Sequence, residues 1–261
     1  MDIAPEQAHA ETRQIVGEGT AEPVWRAWLG ECAVPRLCLD EVLRADQRLV
    51  VLAPHPDDEV LACGGLLASH AARGGACLVL AVTDGEASHA GSKKFSPHAL
   101  AQARRAESSR GLVVLGVSPT AVVRLGLPDG QVAAHSEKLA SALQLVLQPG
   151  DVVLSTWRKD GHPDHEATGH VAADICAQKG LRFLEAPVWM WHWARPGHAQ
   201  VPWRQMAAFG LNDTTLALKC RALAAHASQL KPRDGPDPAP VLGPAIRERA
   251  TRPSEYFFEL V

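Results

Sequence analysis

The sequence has 261 residues, of which 46% are hydrophobic and 21% are charged, and its formal net charge is −3. This length suits one large α/β domain with a sizeable core, so we expect a single domain over residues 1–261 rather than two small ones. The charge balance has no basic excess, which excludes the composition of a nucleic-acid scaffold.

The cysteines and the N-terminus bear on where in the cell the protein is located. The six cysteines form no Cys-x-x-Cys pair and several lie in apolar runs, which is typical of small buried residues in a reducing environment. The N-terminus lacks a basic start followed by an apolar core, and no apolar stretch reaches the length of a membrane span. We therefore expect a cytoplasmic protein that has no signal peptide and does not associate with a membrane.

Residues 1–47 are predicted to form a mostly helical extension. Trp25 and Trp28 lie three residues apart in it, so in a helix they share one face. That face suits packing either onto the sheet of the core or onto a neighbouring subunit, which leaves a homo-oligomer open.

Apolar runs then alternate with helical patterns through residues 48–230, the predicted core. The predicted strands are 48–53, 77–82, 121–125 and 151–155, and the predicted helices are 59–73, 97–116, 134–147 and 165–178. This alternation predicts right-handed βαβ units, and hence a three-layer, Rossmann-like α/β fold with a mainly parallel sheet and helices on both faces. No GxGxxG sequence follows any of these strands, so dinucleotide binding has no support.

An acidic cluster, Ala53-Pro-His-Pro-Asp-Asp-Glu59, lies where the first of these strands turns into a helix. Ligands of open α/β sheets bind at the carboxyl ends of strands, so this turn is a candidate site. His55 and Asp58 point the same way in a helical turn and Asp57 is turned aside, which suits two metal ligands and one free carboxylate. Asp57 and Asp58 are equally typical of acidic residues that cap a helix N-terminus, and Glu59 is expected to cap the helix or to bond the backbone.

A second polar segment, His162-Pro-Asp-His165, follows the predicted strand 151–155 and repeats the three-residue spacing. A catalytic zinc ion uses three protein ligands and keeps a fourth position for water, so the two segments offer a complete set with one histidine left for proton chemistry. The helix motif of zinc proteases needs histidines four residues apart. Here the position four residues after His165 is Gly169, and His170 points elsewhere, so the metalloprotease interpretation is excluded.

These segments resemble the LmbE-like or PIG-L-type zinc-dependent N-deacetylases, which remove acetyl groups from molecules that contain N-acetylglucosamine. The resemblance runs from about residue 48 to about residue 230. It is carried by Pro54–Glu59 and His162–His165, which are specific, and by Thr83–Glu86, Arg104 with Glu107, Leu127–Gly130, and Lys219 with His226–Gln229, which agree in order and spacing.

The resemblance implies that His55, Asp58 and His165 bind zinc and that Asp57 is the general base acting on the metal's water. Zinc lowers the pKa of that water to roughly 7 and polarises the carbonyl group, whereas Fe²⁺ or another divalent ion would suit the same ligands.

The resemblance further implies that His162 polarises the amide oxygen or protonates the leaving amine, and that Asp164 orients His162. Amide hydrolysis needs both a base and an acid, and a carboxylate and an imidazole on either side of the metal would supply them.

Substrate contacts are implied for Glu86, Arg104, Asp129 and His226. Glu86 follows a predicted strand on the same rim, although a turn-stabilising acid would suit this position equally. For Arg104 the alternative is a helix pair with Glu107, worth about 0.3 kcal/mol. Asp129 lies in a Pro-Asp-Gly turn, which presents a carboxylate.

One feature departs from the family pattern. Some sugar deacetylases carry a tyrosine shortly before the His-Pro-Asp-His segment, where this chain has Trp157-Arg-Lys-Asp-Gly161, and its only tyrosine is Tyr256. The departure bears on the identity of the substrate more than on the reaction.

Two later regions are candidates for the border of the site. Trp189, Trp191 and Trp193 would share one face of a strand, as an aromatic core stripe or as a stacking wall for a sugar ring or apolar aglycone. The segment 231–244 is rich in proline and is predicted to be a loop, which with the following residues completes the chain at 261.

The leading hypothesis is a zinc amidohydrolase that removes an acetyl or similar small acyl group from an amino sugar or its conjugate, a small-molecule substrate. Hydrolysis of a phosphoester is a second hypothesis, but such sites often use two metals and more carboxylates. A third is a non-catalytic sugar-binding or partner-binding protein on the same scaffold. It would need neither Asp57 nor His162.

Overall fold

The structure of this protein is a computed structural model that describes residues 13–259. Residues 1–12 of the predicted N-terminal extension therefore lie outside the described part. The strands are β1 (Arg36–Leu37), β2 (Leu49–Ala53), β3 (Cys77–Thr83), β4 (Val122–Leu127), β5 (Val152–Thr156), β6 (Arg182–Ala186), β7 (Met206–Gly210) and β8 (Ser254–Glu259). The helices are α1 (Glu22–Glu31), α2 (Leu39–Val42), α3 (Asp58–Ala72), α4 (Pro97–Val114), α5 (Ser136–Val146), α6 (Pro163–Lys179), α7 (Met190–Trp193), α8 (Asp213–Ala224), α9 (Ala227–Leu230) and α10 (Pro244–Arg249).

The strands of the described chain form one sheet in the order β1-β7-β8-β6-β5-β2-β3-β4. Strand β8 pairs antiparallel with β6 and β7, and the other neighbouring strands pair in parallel. The prediction of a mainly parallel α/β sheet is confirmed. Among residues 13–259, no helix combines the length and apolarity that crossing a membrane requires.

Helices cover both faces of the sheet, as the packing of β2 shows. Leu49 and Val51 contact one apolar cluster, to which α3, α4 and α8 contribute, whereas Val50 and Leu52 contact a second cluster with side chains from α5 and α6. Successive side chains of a strand point to opposite faces, so the core has one apolar layer on each side of the sheet. The three-layer prediction is therefore confirmed.

The predicted elements of the core are confirmed, with bounds that differ by a few residues. Helix α6 starts at Pro163, whose missing N–H costs nothing at the first helical position, and the side chain of His162 caps it by accepting a hydrogen bond from Asp164 N. It ends at Gly180, which takes a left-handed φ of 62°. The segment between Leu230 and Pro244 has no helix or strand, as predicted.

The N-terminal extension is less helical than the sequence predicts. Residues 13–20 have no regular structure, and beyond α1 the extension contains only the short helix α2 and the two-residue strand β1. Trp25 and Trp28 pack within this chain, with ring centroids 5.9 and 4.5 Å from that of Trp203. They belong to a third apolar cluster at the β7–β8 side of the sheet.

The prediction that Trp189, Trp191 and Trp193 share one face of a strand is wrong. Trp189 precedes α7, and the other two residues lie in that helical turn, so the three rings point in different directions. Trp191 packs on Trp25 at 5.0 Å between ring centroids, and Trp193 stacks on Trp157 at 6.3 Å. The alternating tryptophans do not form a strand because Asp160 accepts hydrogen bonds from three successive backbone N–H groups, those of residues 188 to 190. These bonds turn the chain at this point.

The order of strands places the two polar segments side by side. From β2 the chain proceeds to β3 and β4 on one side of the sheet, and then returns to β5 on the other side of β2. The carboxyl ends of β2 and β5 thus flank the point at which the strand order reverses, which is where open α/β sheets bind ligands. The segments 54–59 and 162–165 both start there.

Candidate metal centre and active site

Three side-chain atoms form a nearly equilateral triangle at this rim. Asp58 Oδ2 lies 3.2 Å from His55 Nδ1 and 3.2 Å from His165 Nε2, and the two nitrogens are 3.3 Å apart. A tetrahedral zinc ion with bonds of about 2.0–2.1 Å holds its ligand atoms roughly 3.3–3.4 Å apart. The donor set and its spacing therefore fit a divalent metal ion, with one position left open.

Each histidine of the triangle is oriented by carboxylates behind it. His55 Nε2 lies 3.2 Å from both Asp129 Oδ1 and Asp164 Oδ2, and His165 Nδ1 lies 2.8 Å from Asp160 Oδ2. Such carboxylates fix the tautomer and the ring orientation of metal-binding histidines. The nitrogens that face the triangle are thereby left to accept a metal ion.

The charges of the triangle stabilise one another. Burial by itself lowers the pKa of His165, but the charge of Asp58 and the hydrogen bonds to Asp160 and Asp58 outweigh this effect and raise the pKa to about 9. Burial also favours the neutral form of Asp58, but His165 and His55 outweigh it and hold the pKa of Asp58 below its usual range. Metal binding here would therefore release a proton from His165.

Asp57 lies beside the triangle in a strained conformation. Its φ of 135° is the only positive value among the non-glycine residues described, and such strain costs about 1–3 kcal/mol. Its backbone N–H donates to Glu59 Oε2 at 2.9 Å, so the predicted backbone bond of Glu59 is confirmed. Burial raises the pKa of Asp57 to about 7, with Arg104 opposing the shift and Asp58 adding to it.

Asp57 does not cap α3 with its side chain, although it occupies the N-cap position. Its carboxylate instead lies 3.2 Å from Arg104 Nη2. The capping alternative for Asp57 is therefore wrong, and its carboxylate lines the cavity described below.

His162 lies on the other side of the triangle as a neutral ring. Its centroid is 4.8 Å from that of His55 and 4.9 Å from that of His165. Burial, together with the positive charge of those two rings, lowers the pKa of His162 to about 3. Its Nδ1 accepts a hydrogen bond of 3.2 Å from Asp164 N, so the ring proton is on Nε2.

Asp164 does not orient His162 through its carboxylate, contrary to the expectation from sequence. The carboxylate faces His55 and accepts hydrogen bonds from Gly130 N at 2.7 Å and Val132 N at 3.1 Å. Only the backbone N–H of Asp164 contacts His162. The reason is tertiary, because the β4–α5 loop brings two free N–H groups to the side of α6 where this carboxylate lies.

Arg104 borders the cavity described below, but its guanidinium group donates to protein groups. It is 3% exposed, and besides Asp57 it donates to Gly85 O at 2.8 Å and Pro56 O at 2.9 Å. The alternative pairing with Glu107 does not occur, because Glu107 accepts hydrogen bonds from Ser228. Arg104 therefore holds the strained turn and Asp57 in place.

The other predicted substrate residues differ in position. Asp129 lines the cavity, but its two oxygens face His55 Nε2 and Ala87 N. Glu86 accepts from Asp129 N at 3.0 Å, as a turn-stabilising acid would. His226 is fully buried, does not line the cavity, and neither ring nitrogen has a hydrogen-bond partner.

A cavity of about 630 Å³ opens from the triangle. Asp57, His162 and Arg104 line its polar end. Its walls also contain Trp189 and residues 239–244, which the sequence analysis named as candidates for the border of the site, so these predictions are confirmed. Ile15, Gly17 and Glu18 are lining residues that the motifs did not identify. Asp160 is a further residue that the sequence analysis missed. The only sequence signal was its place in the Trp157–Gly161 stretch, where a family tyrosine was expected.

At the switch point of this mainly parallel sheet, two histidines and one aspartate form a triangle that could hold a metal ion. A buried carboxylate and a neutral imidazole lie beside it, so the arrangement is a candidate metal centre of the kind that hydrolases use. Residues 50–176, which include every element of that centre, match the model of the family described as PIG-L: GlcNAc-PI de-N-acetylase. This core is therefore similar to the PIG-L (LmbE-like) family.

Individual proteins are similar to this chain in sequence or in fold. A diacetylchitobiose deacetylase from Thermococcus kodakarensis is 26% identical over 145 residues, which are 55% of this chain and 54% of the relative, so the chain spans about half the length of that protein. A deacetylase of teicoplanin biosynthesis, solved as a complex, has a TM-score of 0.60 at 21% identity, covering 82% of this chain and 98% of that one. The hydratase GalB from Pseudomonas putida KT2440 has a TM-score of 0.54 at 21% identity, covering 79% and 83%.

Proposed function

We propose that this protein is a zinc-dependent N-deacetylase, a hydrolase that removes an acetyl or similar small acyl group from an amino sugar or its conjugate. The observation that carries the proposal is the ligand triangle with Asp57 and the neutral ring of His162 lining the same cavity. The family of residues 50–176 and the deacetylase relative support the same reaction.

A divalent ion held by His55, Asp58 and His165 would lower the pKa of a coordinated water to roughly 7 and polarise the substrate carbonyl. Two nitrogens and one carboxylate suit zinc, and Fe²⁺ accepts the same donors. Asp129 and Asp164 orient the ring of His55, and Asp160 orients that of His165, so the ligand atoms need little rearrangement before binding.

Asp57 is the general base in this proposal. Its carboxylate accepts one proton from the water whose oxygen attacks the carbonyl carbon, and gives that proton to the nitrogen as the carbon–nitrogen bond breaks. Burial raises the pKa of Asp57 to about 7, and the ion pair with Arg104 limits the rise. A pKa near the working pH lets the same carboxylate accept a proton and give it up again. The products are a carboxylate and a free amine.

His162 stabilises the charge that develops on the carbonyl oxygen. The hydrogen bond from Asp164 N to Nδ1 places the ring proton on Nε2, so the neutral ring can donate a hydrogen bond to that oxygen. Of the two roles that the resemblance leaves open for His162, this tautomer favours polarisation of the oxygen over protonation of the amine.

Other functions have less support from the site. One structural relative is a hydratase, so the fold alone does not determine the reaction. A phosphoesterase with two metals would need a second set of donors, and Asp129 and Asp164 already face the imidazole of His55. A non-catalytic binding protein would gain nothing from the strained φ of Asp57.

The experiment is elemental analysis of the purified protein, together with acetate release from a panel of N-acetylated amino sugars. We expect one zinc ion per chain, acetate release that a chelator abolishes, and recovery when zinc is added back. Fe²⁺ reconstitution in the same assay tests the identity of the metal. A fully metal-loaded protein that releases acetate from no member of the panel would contradict the proposed function.

A further inference from the structure

The cavity at the metal centre is larger than the chemistry requires. At about 630 Å³ it is within the range of roughly 300–1,000 Å³ that is typical of sites for drug-sized ligands. Its polar end contains the ligand triangle and Asp57. A substrate whose amide reaches the triangle therefore has space for a further group in the rest of the cavity.

Part of the cavity lining is apolar. We call the following six lining residues the apolar wall: Ile15, Leu61, Trp189, Val241, Leu242 and Ile246. Except for Leu61, they lie outside residues 50–176, the part that matches the family model. These five come from three separate segments of the chain that meet at one cavity, so most of the wall lies outside the matched core.

Hydrogen bonds hold both outer segments of the apolar wall in place. His192 Nε2 lies 3.1 Å from Val16 O, and Thr20 N donates to His192 O at 2.9 Å. Gly19, with a φ of 65°, lets the chain pass so close to the His192 ring that a Cβ atom there would lie 2.5 Å from Nδ1. On the other side, Leu242 N donates to Gln229 O at 3.0 Å. The wall is therefore preorganised.

Most of the charged side chains that line the cavity already bond to protein groups. Arg104 and Asp129, the two residues expected to hold sugar hydroxyls, contact the turn at Asp57 and the ring of His55, although Arg104 Nε has no hydrogen-bond partner. Arg233 donates to Ser88 O, to Ala239 O and to the carboxylate of Asp237, whereas Glu18 is exposed. The bonded groups are less available to the hydroxyl groups of an extended sugar.

We propose that the substrate is amphiphilic, with its amide at the metal centre and an alkyl or aryl group against the apolar wall. This inference rests on the proposed function for the position of the amide. An apolar group on the amine part agrees with the small acyl group of the proposed function, whereas an apolar group on the acyl part would make the acyl group itself a long one, and the ligands below distinguish the two. In either case, burial of the apolar group contributes binding free energy away from the reacting atoms.

The experiment measures binding without turnover, by titration calorimetry of the zinc-loaded Asp57→Asn protein below the micelle concentration of each ligand. The ligands are methyl N-acetylglucosaminide, its octyl analogue, and methyl N-octanoylglucosaminide. Each buried methylene strengthens binding roughly fourfold, so burial of two already gives more than about tenfold. We expect at least one octyl ligand to bind about tenfold more tightly than the methyl reference, and the tighter one identifies the end that faces the wall.

Matched variants locate the effect. Ile15→Ser and Val241→Ser, each in the Asp57→Asn background, should each lower the octyl preference about threefold or more. Val16→Ser should not change it, because the side chain of Val16 is 67% exposed and only its carbonyl is bonded. Equal binding of the three ligands within twofold, or an octyl preference that both wall variants leave unchanged, would overturn the inference. An octyl preference without release of acetate or octanoate by the unaltered protein would instead refute the proposed hydrolysis of the amide and leave the apolar wall as a binding site.

Discussion

Asp160 lies behind the metal centre, and its replacement by asparagine should weaken metal binding. Asp160 is fully buried, and its two oxygens accept from four donors: the backbone N–H groups of residues 188, 189 and 190 at 2.9 Å each, and His165 Nδ1 at 2.8 Å. In Asp160→Asn, one oxygen becomes an NH₂ group, and every partner it could face is itself a donor. At least one buried donor therefore loses its acceptor.

The replacement should have two separate effects, one on metal affinity and one on stability. Loss of a carboxylate behind a metal-binding histidine typically lowers metal affinity 10- to 100-fold. A buried donor without a partner costs about 1–3 kcal/mol, which should appear as a lower free energy of unfolding of the metal-free protein. Both effects are expected in Asp160→Asn, because the same side chain orients His165 and holds the turn at residues 188–190.

The assay is zinc affinity by competition with a chromogenic chelator, with urea unfolding of the metal-free protein measured in parallel. Asp174→Asn is the matched control, since Asp174 lies in the same helix as His165 and is exposed. If Asp160→Asn folds and binds zinc within twofold of the unaltered protein, the proposed role of Asp160 in orienting His165 is wrong.

Further variants test the base, a buried ion pair and two glycines. Asp57→Asn should keep its zinc but lower kcat by about 10²–10⁴, and loss of the metal in this variant would contradict the assignment of Asp57 as base. Glu255→Gln should lower the free energy of unfolding in urea by about 3–5 kcal/mol, because the buried Glu255 lies 2.6 Å from the ammonium group of Lys219 and accepts hydrogen bonds from two backbone N–H groups of α3. The control Glu259→Gln, which breaks a half-exposed pair with Arg182, should lower it by less than about 1 kcal/mol. Gly169→Ala should destabilise the fold although alanine favours helices, because its Cβ would lie 2.7 Å from a backbone oxygen of β5, while Gly30→Ala in open space should stabilise by about 0.5–1 kcal/mol. Equal thermal stability of the two glycine variants would refute the close packing of α6 on β5.

Local patterns were sufficient for the core of the fold. Strand β2 and helix α6 were predicted within about two residues, because a fully apolar run and a proline-initiated, glycine-terminated helix are set by the residues themselves. Local patterns failed at Trp189–Trp193, where the alternation of tryptophans suggested a strand. Hydrogen bonds from its backbone N–H groups to a carboxylate 28 residues or more earlier in the chain made that segment a helical turn.

For the site, the sequence by itself determined which residue types stand at the ends of two strands, and at what spacing. His55 and Asp58 could be proposed as ligands on that basis, since their three-residue spacing and the parallel sheet follow from local chemistry, whereas the choice of His165 over His162 came from the family resemblance. Their 3.2–3.3 Å triangle then required only that β2 and β5 be neighbours.

Tertiary structure alone decided which groups stand behind and around those ligands. Asp129, Asp160 and Asp164 became supports of the two histidines, and Arg104 became the partner of Asp57, because each carboxylate or guanidinium pairs with whichever opposite group lies within about 3 Å after folding. The apolar wall likewise arises from segments at 15, 189 and 241–246 that are distant in sequence. A sequence specifies the chemistry of each side chain. The packing of elements that are distant in sequence determines its neighbours, and these neighbours set its pKa and its orientation.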